Sequence, residues 1–193
     1  MDDTTQSPAP HVLTTFLAGL QAGMLGALWM LAWLGLSDVW KQRSFWSSEN
    51  LMATVFYGGA AIRSGFAGPT LSGLALDLLL YSLLGALFAL AVHRRFRPLR
   101  VVVASLAFAV GWYYLSFHLI WKAAGPLVAL LHAERPTLFG HVIYGACLAR
   151  FPLYVVRAAT PPAQTEPAEA AELAEAAAEP VAPDTNSEGP GQQ

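Results

Sequence analysis

Four long stretches of this chain are almost free of charge, and that decides what it can fold into. Residues 12–36, 70–92, 101–121 and 136–156 are built mainly from Leu, Ala, Val, Phe and Gly. About 20 such residues in helical form cross roughly 30 Å of hydrocarbon, so each stretch is predicted to be a spanning helix. In lipid every backbone N–H and C=O needs an internal partner, and a helix supplies one within a single segment. The predicted class is all-α: an integral membrane four-helix bundle with short interfacial helices in its loops and a disordered C-terminal tail.

Composition agrees. The 193 residues are 55% hydrophobic and 12% charged, too little charge to cover a soluble domain of this length. The formal charge of −2 hides an uneven distribution. Acidic residues concentrate in the tail, whereas the membrane portion is mildly basic. No basic stripe exists outside one Arg cluster, which argues against nucleic-acid binding. Cys147 is the single cysteine. It excludes an intramolecular disulfide and any Cys-based zinc or iron–sulfur site, and reads as a small buried apolar residue.

Residues 1–11 carry Asp2 and Asp3 but no Lys or Arg, and no Ala-x-Ala exit follows the first apolar run. This is a disordered N-terminus before a retained helix rather than a cleavable signal. Within that helix Gly19, Gly23 and Gly26 lie among alanines, and Gly19 and Gly23 have the GxxxG spacing that lets another helix approach closely. Their expected role is packing.

Residues 40–66 form an interfacial segment in which Trp40, Phe45 and Trp46 alternate with Lys41, Arg43 and Glu49. Asn50 is expected to cap a short apolar helix from Leu51 to Ile62, too short to span and therefore interfacial or re-entrant. Gly65, Gly68 and Pro69 end it. A second loop, residues 122–136, holds another short surface helix at Leu127–Leu131, and Pro136 opens the fourth span in a favoured first-turn position. Arg150 and Pro152 interrupt that span, which continues to Val156 if Arg150 snorkels to the interface. Residues 158–193 are rich in Ala, Glu and Pro and are predicted to be disordered.

Arg94, Arg95, Arg97 and Arg100 crowd the short turn between the second and third spans. By the positive-inside rule this turn is cytoplasmic, which puts both termini in the cytoplasm, and the expected location is a bacterial inner membrane.

Three ionisable residues fall inside the apolar stretches: Asp77, His118 and His141. Counted along antiparallel helices from the end away from the Arg turn, their depths agree within about one turn. Each has a tyrosine one turn deeper at a spacing that shares a helix face: Tyr81, Tyr114 and Tyr144. Gly73 and Gly85 extend the Asp77 face, Gly111 the His118 face and Gly145 the His141 face, so the three faces are expected to point inward. Titratable side chains in hydrocarbon are costly and mark functional sites. Asp77, His118 and His141 would suit a divalent metal with open positions. His118 and His141 alone could ligate a b-type haem, and the set could relay protons or ions. Equally, such groups can do no more than hydrogen-bond across helices, each contributing roughly 0.6–2 kcal/mol. Glu49, Arg63 and Glu134 could join from the loops, while His11, His93 and His132 read as surface residues.

Gly140-His141-Val142-Ile143-Tyr144-Gly145 is similar to a stretch found in small bacterial inner-membrane families of four spanning helices. That resemblance implies a small bundle and no particular chemistry. No P-loop, GxSxG, HExxH or CxxC pattern occurs, so no reaction is assigned. Two readings remain. One is a membrane protein whose polar pocket binds an ion, metal or small ligand. The other is a structural accessory subunit of a larger membrane complex, with other subunits or a second copy as partners besides the lipid bilayer. A haem protein or integral enzyme comes third.

Overall fold

The structure, a computed structural model, describes residues 9–92 and 98–159. All regular structure among them is helical. The expected tail beyond Ala159, the first eight residues and most of the Arg turn lie outside the described residues.

Four stretches are long and apolar enough to cross a membrane: Val12–Trp40, Gly68–Val92, Pro98–Ala124 and Glu134–Val156. The first belongs to α1 (Ala9–Trp40), longer at both ends than the predicted 12–36. Its C-terminal extension has a local cause. The Asp38 carbonyl accepts hydrogen bonds from the Lys41 and Arg43 N–H groups, and Gln42 takes a left-handed conformation (φ 58°) that closes the helix. Asp38 is thereby carried on the spanning helix.

Between the first two spans the single helix expected from Leu51 to Ile62 is broken into α2 (Ser47–Met52), α3 (Thr54–Tyr57) and a 3-10 turn (Gly58–Arg63). Asn50 does not cap. It sits inside α2, almost fully buried, where its amide N–H donates to the Ser64 carbonyl and its oxygen accepts from Thr70 Oγ1 at 2.6 Å. This amide ties the returning chain to the start of α4 (Gly68–Val92). Val55, Phe56, Tyr57 and Phe66 stay exposed, as a segment lying against lipid requires.

Helix α5 (Pro98–Leu115) runs on through a π turn (Ser116–Ile120) into α6 (Trp121–Ala124). The connection to the fourth span contains α7 (Pro126–Leu131), which begins on Pro126. Helix α7 leaves Leu130 and Leu131 exposed, as a short surface helix does, and buries Val128 against Tyr113, Phe117 and Trp121. Helix α8 (Glu134–Leu148) stops at Ala149, and α9 (Phe151–Ala159) follows. Pro152 has no N–H to continue the ladder and its ring would strike the preceding turn, which explains the break.

The bundle is not packed in chain order. Helix α1 lies between α4 and α8, and α5 packs on α8, while α4 and α5 make little contact. The close approach of α1 to α4 rests on small residues. A methyl group on Gly23 would stand 2.5 Å from the Tyr81 carbonyl oxygen, and one on Gly85 2.6 Å from the Gly23 Cα. Gly26, one turn on, faces Tyr144 and Cys147 of α8 instead. The small face of α1 is therefore divided between two neighbours inside the bundle. Because lipid is as apolar as leucine, such contacts stabilise through dispersion and backbone proximity rather than through water exclusion.

Candidate functional site

The antiparallel arrangement gathers the end of α1, α2, the starts of α4 and α8, and the end of the α5–α6 helix at one end of the bundle. Polar side chains collect there. Asp77 lies on the inner face of α4, in register with Gly73, Tyr81 and Gly85, and is 4% exposed. Gly73 is what lets α2 settle onto this face, because any side chain there would collide with the Glu49 carbonyl. Glu49, also 4% exposed, then meets Asp77 carboxyl to carboxyl, within hydrogen-bonding contact. Glu49 Oε2 has no hydrogen-bond donor beside it. Burial pushes the Glu49 carboxyl well above the usual carboxylate range, and Asp77 beside it, then Asp38, push it further.

His141 is 1% exposed and has both ring nitrogens engaged. Nδ1 lies 2.8 Å from the Thr137 carbonyl oxygen, which can only accept, so Nδ1 carries the proton. In the neutral ring Nε2 is then an acceptor, and the Tyr81 hydroxyl at 2.9 Å donates to it. Tyr144 in turn donates its hydroxyl to the Tyr81 carbonyl at 2.8 Å. These bonds join α4 to α8 across the core. Tyr113 and Phe117 set their rings against His141, with centroids 5.3 and 6.1 Å away.

His118 is not part of this group. It is exposed, and its ring stacks on Tyr114, itself 51% exposed, at an interplanar angle of 12°. The buried row of the third span is Val101, Ser105, Ala109, Tyr113 and Phe117, and Tyr114 and His118 follow one residue later around the helix. Gly111, taken as a mark of the inner face, has open space where its side chain would be. Equal depth thus did not bring His118 to Asp77 and His141. The expected triad is not assembled, and among the described residues no group of three or more His, Cys, Asp and Glu is placed to hold a metal ion. The two histidines do not face each other, so they do not fit a bis-His haem. Of the expected tyrosine layer, Tyr81 and Tyr144 point inward and Tyr114 does not, and Tyr113 occupies the inner face in its place.

Beside Asp77, Tyr81 and His141 lies a cavity that also reaches Asp38, His132 and Thr137. It has room for water-sized spheres amounting to about 40 Å³, where one water needs roughly 10–15 Å³. That space suits a few waters, or a small ion with part of its hydration. At the outer end Asp38 is paired with Arg43 at 3.4 Å and accepts a hydrogen bond from Ser48 Oγ at 2.8 Å. The Arg43 side chain is 42% exposed, so this end is the wet one.

Two members of the lining were not identified from the sequence. Asp38 lies two residues beyond Leu36, where the predicted first span ends, and the longer α1 carries it inward. His132 reads as a surface residue in the sequence, yet its ring stacks on Phe117 at 4.2 Å and its Nδ1 donates to the Ala129 carbonyl. Its Nε2 is buried without a partner. Nothing in the local sequence marks His132 as a lining residue. Its position follows from the packing of α7. The chain matches no protein family, no curated protein and no solved structure.

Proposed function

We propose that this chain is a small integral membrane protein whose polar cavity binds a small ion or polar ligand entering past Asp38 and Arg43. One observation carries the reading: carboxyls from two separate elements, Asp77 and Glu49, are buried together in an otherwise apolar bundle, beside a cavity with room for a hydrated species. Burying such groups without a function is costly. The Arg-rich turn supports a cytoplasmic location for both termini, in an inner membrane of bacterial type.

A second reading has its own support. His118 and Tyr114 present polar rings on an outer face of the third span, where lipid offers no partner, and this favours an accessory subunit covered by another membrane chain.

The test is a thermal-unfolding series on the purified full chain in mild detergent, with sodium, potassium, magnesium, calcium and methylammonium chlorides at constant ionic strength. A ligand at about 100 times its dissociation constant stabilises by about 2.7 kcal/mol, which raises the midpoint by roughly 5–10 °C for a chain of this size. We expect at least one saturable shift that Asp77→Asn removes. Midpoints that no salt moves, together with co-purification of a stoichiometric second chain lost on His118→Ala, would establish the accessory reading instead.

A further inference from the structure

Two carboxyl groups in hydrogen-bonding contact need a proton between them, because two carboxylates offer acceptors only. Glu49 and Asp77 are in that position, and no donor from the rest of the bundle approaches Glu49 Oε2. Asp77 also lines the cavity, whose outer end is the pair of buried Asp38 and exposed Arg43. Towards the opposite end the way is closed. Tyr81, Tyr144 and His141 spend their hydrogen bonds on one another and on backbone carbonyls, and beyond them lie Leu84, Phe88, Val92 and Leu148.

We propose that the ligand of this site is a proton, held between Glu49 and Asp77 and exchanged with water on one side of the membrane through the cavity. This deepens the reading of the cavity as a binding site and rests on it. The step is a simple transfer. The carboxyl O–H bond breaks, its electron pair stays on the carboxylate, and the proton passes to a cavity water and leaves past Asp38 as hydronium. The pair then changes from one negative charge to two. The groups that face it are Asp38 and Arg43 from the end of α1 and the following turn, Tyr81 on α4 itself, His132 beyond α7, and His141 on α8. Arg43 is already paired to Asp38, so among the described residues no facing arginine or lysine is free to hold a doubly charged pair, and losing the shared proton costs more than losing it from a lone carboxyl. The sealed inner end makes this a one-sided port and not a conducting path.

The experiment is infrared difference spectroscopy on the full chain in nanodiscs, titrated from acid to alkaline pH. At neutral pH we expect one protonated carboxyl carbonyl band per chain that shifts promptly in heavy water and disappears at higher pH. Glu49→Gln should abolish it while leaving the protein folded, since the amide N–H can donate to the Asp77 carboxylate. Asp77→Asn should do the same by the reverse donation. If neither variant folds, the wild-type titration decides alone. Absence of the band at neutral pH, its survival in both variants, or a band that heavy water does not reach overturns the proposal. Loss of the band when sodium replaces choline in the buffer also overturns it and assigns the site to a metal cation. A salt that stabilises the protein while no band exists defeats the proton and leaves the wider ligand reading standing, whereas a band without any stabilising salt supports the proton as the ligand and excludes the cations tested.

Discussion

The two halves of the bundle are held together by opposite means. Towards the Arg-rich turn, Gly19, Gly23, Gly85, Ala86 and Ala89 bring α1 and α4 so close that none of the three glycines has space for a methyl group. At the other end the same two helices diverge in chemistry, with Asp38 on one and Asp77 on the other, and α2 is inserted above them. The first half is dense, and the polar groups buried in it are small hydroxyls such as Ser105, which donates to the Val102 carbonyl of its own helix. The second contains a cavity, a pair of carboxyls and a histidine nitrogen without a partner. The dense half supplies the rigidity that allows the other half to hold unfavourable groups in fixed positions.

The dense half is the more sensitive of the two to substitution. Gly85→Leu and Gly23→Leu drive a side chain into the neighbouring backbone, which cannot yield as a flexible side chain would. We expect a loss of about 3 kcal/mol or more, read as the folded fraction in a denaturant series in detergent. Near-wild-type stability would mean that α1 and α4 do not approach as closely as described.

Next in size is Tyr81→Phe, which leaves the His141 Nε2 acceptor buried and unpaired. The expected cost is about 1–2 kcal/mol, at the upper end of interhelical hydrogen bonds in membranes. The Tyr81→Phe and His141→Gln pair should be less than additive, since both remove one bond. His118→Gln should add to either within roughly 0.5 kcal/mol. Strong coupling of His118 to His141 would contradict the outward placement of His118.

The pH dependence sharpens the polar half. The folded-state pKa of Glu49 is raised, so the folded protein holds that proton more tightly than the unfolded chain. Its contribution to stability is fully present below the ordinary glutamate value of about 4.3 and is lost as pH rises towards the raised folded value. Wild-type unfolding midpoints should therefore fall on going from acid to neutral pH, and Glu49→Gln should flatten that slope. A slope unchanged by Glu49→Gln would remove Glu49 from the pair.

The smallest effect belongs to the tail. Its composition lacks the apolar periodicity of a packed element, so truncation after Thr160 is expected to leave the unfolding midpoint within about 0.5 kcal/mol of wild type. A larger loss would show a docking contact.

Much of the architecture was legible beforehand. Each predicted span falls on one of the four helical stretches long and apolar enough to cross a membrane, although the fourth is broken before Phe151. Asp77, Tyr81, His141 and Tyr144 do converge, and Gly73, singled out only as a neighbour on the Asp77 face, turned out to be the point where α2 makes contact. His118 and Tyr114 were misplaced for a definite reason. Depth along a helix follows from counting residues, but the direction of a side chain around the helix does not. In water an apolar stripe marks the buried side. These spans are apolar all round, so the stripe is missing, and a lone glycine such as Gly111 was a poor substitute for it.

What the chain determined by itself is therefore the number of spans, their approximate limits and the depth of each titratable residue, since these depend on local hydropathy and a fixed helical rise. Only the tertiary structure decided that α1 sits between α4 and α8, and that α2 folds back to place Glu49 against Asp77. Those outcomes depend on which helix faces meet. In a membrane that choice rests on close packing and interhelical hydrogen bonds between residues far apart in sequence, and no local pattern encodes it.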